Sequence, residues 1–165
     1  MMNIFDFAIN FEIENRELYE DCAVKSGNEH LRGVFLRLAE AEKKHENIVR
    51  QLKEQKKVDE VETDILSSAK DAFESISKNL EATKNKIFPQ QQVDVYKKAK
   101  EMEVDSYKFY IDKAEETDNP EVEKAFKRLA KEEKKHERII DSIIEMVNRP
   151  NTWLDDAEWN HLEEY

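Results

Sequence analysis

Residues 42–46 read Glu42-Lys43-Lys44-His45-Glu46, and the same five letters return as Glu133-Lys134-Lys135-His136-Glu137. The match is part of a longer one. Residues 8–49 lie over 99–140 without a gap, at a shift of 91, with 16 of 42 positions identical. Composition alone gives roughly three identities in a charge-rich pair of segments. The chain therefore contains a duplicated unit, and the fold is read from that unit first. Ala8, Glu12 and Tyr19 match Ala99, Glu103 and Tyr110; Phe35, Arg37, Leu38 and Ala39 match Phe126, Arg128, Leu129 and Ala130.

Each copy reads as two helices. The first runs from about Ile4 to Lys25, breaks at Ser26-Gly27-Asn28, and resumes near Glu29 to about Lys56. In the second copy the break is Thr117-Asp118-Asn119-Pro120. Asn119 suits an N-cap and Pro120 the first helical position, and Asn28 holds the equivalent cap in the first copy. Loops this short force each pair to run antiparallel. Residues 57–92 join the hairpins, and within them Ile65, Leu66, Ala69, Phe73, Ile76 and Leu80 recur at helical spacing. A connector with its own helix, about 64–82, can travel the length of a bundle and bring the second hairpin in reversed, related to the first by a two-fold. Phe88-Pro89 marks the turn into the next helix. The expectation is an all-α four-helix bundle over residues 1–147, with hairpins at about 4–56 and 93–147. A tail, 148–165, carries Trp153 and Trp159, which would pack on the bundle or on a partner chain.

Composition agrees. With 2 Gly, 3 Pro and 39% charged residues, the chain suits long solvated helices. A net charge of −11 argues against a phosphate-backbone partner, which needs a basic surface. The single cysteine, Cys22, cannot form an internal disulfide framework or a four-thiolate iron site. Residues 1–11 are apolar but lack a basic leader region, and no stretch approaches the ~20 apolar residues of a membrane span. A soluble, cytoplasmic protein is expected.

Chemistry enters where ionisable residues interrupt apolar stripes. In the second helix the stripe runs Phe35, Leu38, Glu42, His45, Val49, Leu52; its counterpart runs Phe126, Leu129, Glu133, His136, Ile140, Ile143. Ala8, Glu12, Asn15, Tyr19 and Cys22 share a face of the first helix, as do Ala99, Glu103, Ser106, Tyr110 and Ala114 in the other hairpin. If these stripes meet, four carboxylates lie inside the bundle with no Lys or Arg among them. One unpaired buried charge already costs several kcal/mol. Two divalent cations would balance the cluster, four negative charges against four positive, with His45 and His136 completing the coordination. Carboxylate and imidazole donors suit iron or manganese better than calcium or a thiolate-preferring metal. Tyr19 and Tyr110, two turns along the face from a Glu, can donate hydrogen bonds to the carboxylates. A lone Glu-x-x-His means little in so charged a chain, and its flanking lysines resemble an ordinary solvated face. Two copies at equivalent stripe positions are a different matter. His30 in a loop, His161 in the tail and Cys22 are read as having no site role.

At these residues the sequence resembles the rubrerythrin family of ferritin-like di-iron carboxylate proteins. The family pattern Ala-x3-Glu-x6-Tyr stands here as Ala8, Glu12, Tyr19 and as Ala99, Glu103, Tyr110. The pattern Phe-x3-Ala-x2-Glu-x2-His stands as Phe35, Ala39, Glu42, His45 and as Phe126, Ala130, Glu133, His136. The resemblance spans both hairpins and extends to the tail. It implies two iron ions, with manganese or a mixed pair as alternatives. Glu42 and Glu133 would bridge them, Glu12 and Glu103 would be terminal ligands, and His45 and His136 would bind one ion each. It also implies reaction with hydrogen peroxide or oxygen. Family members with a four-cysteine rubredoxin-like domain carry their own electron path; this sequence has none, so a separate donor such as a rubredoxin or a flavoprotein is expected. The family's extra Glu, three residues after the ligand in the third bundle helix, is replaced by Ser106, with Asn15 as its counterpart. A ferroxidase or iron-storage role would use the same six ligands, and a metal-free helical adaptor would have to tolerate the four carboxylates. The connector helix and tail tryptophans offer apolar surface for a homodimer.

Overall fold

The computed structural model describes residues 3–83, 92–149 and 153, with the side chains of 79–83 excepted. The Phe88-Pro89 turn, Trp159, His161 and the Leu80 side chain lie outside them. Five helices follow in order, α1 (Ile4–Lys25), α2 (Glu29–Lys53), α3 (Ile65–Thr83), α4 (Val93–Glu116) and α5 (Pro120–Asn148), and there is no strand among the described residues. No described helix is long and apolar enough to cross a membrane.

The helix boundaries follow local chemistry. Asn28 Oδ1 accepts from the Leu31 amide at 3.0 Å and caps α2. Asn119 Oδ1 accepts from the Glu121 and Val122 amides, with Pro120 opening α5. Gly27 takes a φ of +70° just beyond α1, a conformation glycine adopts without a Cβ penalty. The second helix stops three residues short of the Lys56 expected from sequence. Gln55 takes a φ of +58° there, the Gln55 amide donates to the Leu52 carbonyl, and the Lys56 amide donates to the Gln51 carbonyl. This is a Schellman ending with Gln in the place usually held by Gly. A run of good helix formers gave no sign of it. His30, expected in a loop, stands exposed in the first turn of α2.

The core divides into two apolar clusters. One gathers Tyr19, Cys22, Leu31, Phe35 and Leu38 with Ile139, Ile140, Ile143 and Met146; the other gathers Ala8, Ile48, Val49 and Leu52 with Tyr110, Phe126 and Leu129. Each long helix contributes one end to each cluster, which fixes direction: α1 and α5 run one way, α2 and α4 the other. The α1–α2 and α4–α5 hairpins are therefore antiparallel, and α1 meets α4 antiparallel across the bundle.

The crossover runs from the second cluster, where Val61 is buried, to the first. It lays Ile65, Leu66, Ala69, Phe73 and Ile76 against α2 and α5. Trp153 packs edge-on to Phe73 with ring centroids 5.9 Å apart, and its indole donates to Ser142 Oγ at 3.1 Å. Ile65, Leu66, Ala69, Phe73 and Ile76 of α3, and Trp153, are thus buried within the chain itself. Glu132 ties the crossover down: its Oε1 accepts from the Thr63 amide at 3.0 Å and from Thr63 Oγ1 at 2.5 Å, while Lys135 pairs with its Oε2.

Candidate metal centre

The layer between the two apolar clusters is made of Glu12, Glu42, His45, Glu103, Glu133 and His136, each at most 1% exposed. All four stripes read from the sequence are buried along their whole length, Asn15 and Ser106 included. Helical steps of three and four place each pair on one face, and the antiparallel hairpins bring the four faces to one level.

The contacts follow the duplication. Tyr19 Oη donates to Glu103 Oε1 at 2.5 Å, and Tyr110 Oη donates to Glu12 Oε1 at 2.7 Å. His45 Nδ1 lies 2.6 Å from Glu133 Oε1, and His136 Nδ1 lies 2.8 Å from Glu42 Oε1. The second contact of each kind is the first with both residues replaced by their equivalents at the 91-residue shift, so the two hairpins are related by an approximate two-fold. The imidazoles stack on each other, with centroids 5.4 Å apart and planes 1° from parallel.

Two groups of donor atoms have mutual distances within 4.8 Å. One is Glu12, Glu42, His45 and Glu133; the other is Glu42, Glu103, Glu133 and His136. Glu42 and Glu133 belong to both. One oxygen on each of the four carboxylates is buried without a hydrogen-bond partner, as is Nε2 of each imidazole. Four unpartnered carboxylate oxygens in one buried layer are costly to the protein alone. They are what a pair of cations would satisfy. The donor set and its burial therefore fit a di-metal centre.

Without cations the cluster holds protons. Burial, followed by the charges of Glu103 and Glu12, keeps the Glu42 carboxyl well above the ordinary carboxylate range. Burial, followed by Glu103, Glu12 and Glu42, does the same to Glu133. For Glu103 burial pushes up, but the charge of His136 and hydrogen bonds from its neighbours outweigh it and bring the carboxyl down to about 2. Burial works against a charged His45, yet Glu12 and Glu133 together raise it. Both phenols are kept protonated: burial and then Glu103 raise Tyr19, burial and then Glu12 raise Tyr110. They can only donate to the carboxylates they touch.

Two buried carboxylates were not singled out from sequence. Glu46 accepts from Arg16 and from Arg50, each at 2.8 Å, and burial's upward push on it is outweighed by Arg50, Lys43 and Arg16. Glu132 anchors Thr63, as above. Both have basic or hydroxyl partners and stand apart from the two donor groups. Arg50 at i+4 from Glu46 and Lys135 at i+3 from Glu132 were the available signals. Cys22 is buried in an apolar cluster, where burial raises its thiol to about 12.

The sequence model of the family described as Rubrerythrin matches residues 3–144. Comparison with curated proteins and with solved structures gives no match.

Proposed function

The chain belongs to the rubrerythrin family, and from that premise and the buried donor layer we propose that it is a di-iron redox protein that reduces hydrogen peroxide. The observation that carries the reading is the pair of overlapping donor groups sharing Glu42 and Glu133. Glu42 and Glu133, common to both donor groups, would be shared by two ions, with Glu12 and His45 holding one and Glu103 and His136 the other. Two ferrous ions would supply one electron each, so that one hydrogen peroxide and two protons become two waters.

The chain's own residues prepare the site for that reaction. Tyr19 and Tyr110 hold Glu103 and Glu12 across the α1–α4 interface, fixing which oxygen faces the ions. Their protons stay on Oη. The two apolar clusters above and below exclude bulk water and strengthen every charge interaction in the layer. The electrons for a further turnover would come from a separate donor of rubredoxin or flavoprotein type.

The test is stopped-flow mixing of anaerobic di-ferrous protein with hydrogen peroxide. Oxidation at least about tenfold faster than for free ferrous ion, with two irons oxidised per peroxide, is expected. Oxidation no faster than that of the free ion overturns the reading. Fast oxidation by oxygen with release of ferric ion to a chelator would instead assign the centre to iron handling.

A further inference from the structure

The two-fold relation picks out residues that meet their own counterparts. His45 stacks on His136, which is 45 moved by 91. Asn15 meets Ser106 in the same way, with Nδ2 donating to Ser106 Oγ at 3.0 Å. A residue touching its own equivalent lies on the two-fold axis. The axis therefore leaves the donor layer through the imidazole pair between α2 and α5, and through the Asn15–Ser106 pair between α1 and α4.

The imidazole side is already covered, because the crossover and α3 lie on α2 and α5. Asn15 is bracketed on its face of α1 by Glu12 and by Tyr19, whose hydroxyl touches Glu103. Ser106 is bracketed likewise by Glu103 and Tyr110. Asn15 is 2% exposed and Ser106 is fully buried. Asn15 gives one of its two amide hydrogens to Ser106 Oγ, and its Oδ1 is buried with no hydrogen-bond partner. Asn15 Oδ1 thus offers a buried, unused acceptor on the face of α1 that carries Glu12, on the axial side opposite the imidazoles.

Resting on the reaction proposed above, we propose that Asn15 Oδ1 is a recognition group for the oxidant and accepts a hydrogen bond from it. The ligand class is a small molecule able to donate an O–H while placed symmetrically between two cations. Hydrogen peroxide carries two such hydrogens. Dioxygen carries none, so the same oxygen atom gives it nothing and repels its electron density. Asn15 is in this account the residue that favours peroxide over dioxygen, and Ser106 positions it by holding Nδ2.

The experiment compares the wild type with Asn15→Leu, which keeps the bulk and removes the acceptor. Zinc-loaded protein, in which no electron can be transferred, is titrated calorimetrically with hydrogen peroxide. Di-ferrous protein is mixed with peroxide and, separately, with dioxygen. Asn15→Leu is expected to bind peroxide about tenfold more weakly and to lose a similar factor from the peroxide-to-dioxygen rate ratio, while holding the same metal content. Unchanged peroxide binding and an unchanged ratio overturn the proposal. If Asn15→Leu does not retain two metals, Asn15→Ser and Asn15→Ala replace it: the hydroxyl variant must keep the preference that Ala loses, and equal behaviour of the two overturns it. Should wild-type di-ferrous protein ignore peroxide, the redox reading fails by itself, and the zinc titration still decides the role of Asn15.

Discussion

His45 and His136 stand 91 positions apart and lie face to face, their rings within 1° of parallel, each with Nδ1 turned to a carboxylate of the opposite hairpin. The site is therefore not assembled by either copy of the duplicated unit. Each imidazole reaches the Glu of the other copy's Glu-x-x-His, and each tyrosine reaches the other copy's first-helix Glu. A single hairpin carries half of every one of these pairs.

Stability of the metal-free protein is expected to fall as pH rises. Glu42 and Glu133 bind their protons more tightly in the fold than in the unfolded chain, where a carboxyl titrates near 4.5. Their contribution is complete below that value and is lost as pH climbs through the raised values. His45 has the same sign, its contribution being present below 6.5 and lost above. Glu103 acts oppositely and only on the acid side: its contribution is present above 4.5 and lost as pH falls towards about 2. Thermal melts at about pH 5 and about pH 8 should show a lower midpoint at the higher pH without metal. With zinc or ferrous ion the order should reverse, because binding displaces those protons. A metal-free midpoint that rises with pH over this range would contradict the proton-holding cluster.

How much of this was legible in the letters depends on what the duplication repeats. The Glu12–Glu103, Tyr19–Tyr110, Glu42–Glu133 and His45–His136 pairs recur at one shift on apolar stripes, so helical periodicity alone turns them to the bundle interior. The crossover anchor was invisible to that argument. Glu132 has Ala41 as its counterpart, and its partner Thr63 comes from a loop without periodicity. The end of α2 was missed because Gln55 occupies a left-handed position that Gly usually announces. The Asn15–Ser106 contact needed coordinates, since only the two-fold reveals that equivalent residues meet on its axis.

Tyr19→Phe and Tyr110→Phe should each lower metal affinity by about tenfold without changing the stoichiometry, as loss of an outer hydrogen bond to a ligand commonly does. The two-fold makes the losses similar, within about threefold of each other. Competition titrations against a chelator of known affinity measure both. Full affinity in either variant would show that its hydroxyl does not orient the carboxylate it touches.

Glu132→Ala should destabilise the fold by about 1–3 kcal/mol, because the Thr63 amide and hydroxyl lose their shared acceptor in a part-buried place. Glu132→Gln keeps an acceptor oxygen and should lose less. Urea denaturation gives the difference, and metal content should be unchanged in both variants. Loss of metal in a folded Glu132→Gln would move Glu132 from the crossover anchor into the site.

The most direct measurement is metal content per chain, by elemental analysis of protein prepared with iron and without chelators. About two irons per chain are expected in the wild type, and fewer than about one in Glu42→Ala and in Glu133→Ala, both still helical by circular dichroism. A folded wild type that binds no metal, or bridging-residue variants that bind as much as the wild type, would contradict the di-metal centre.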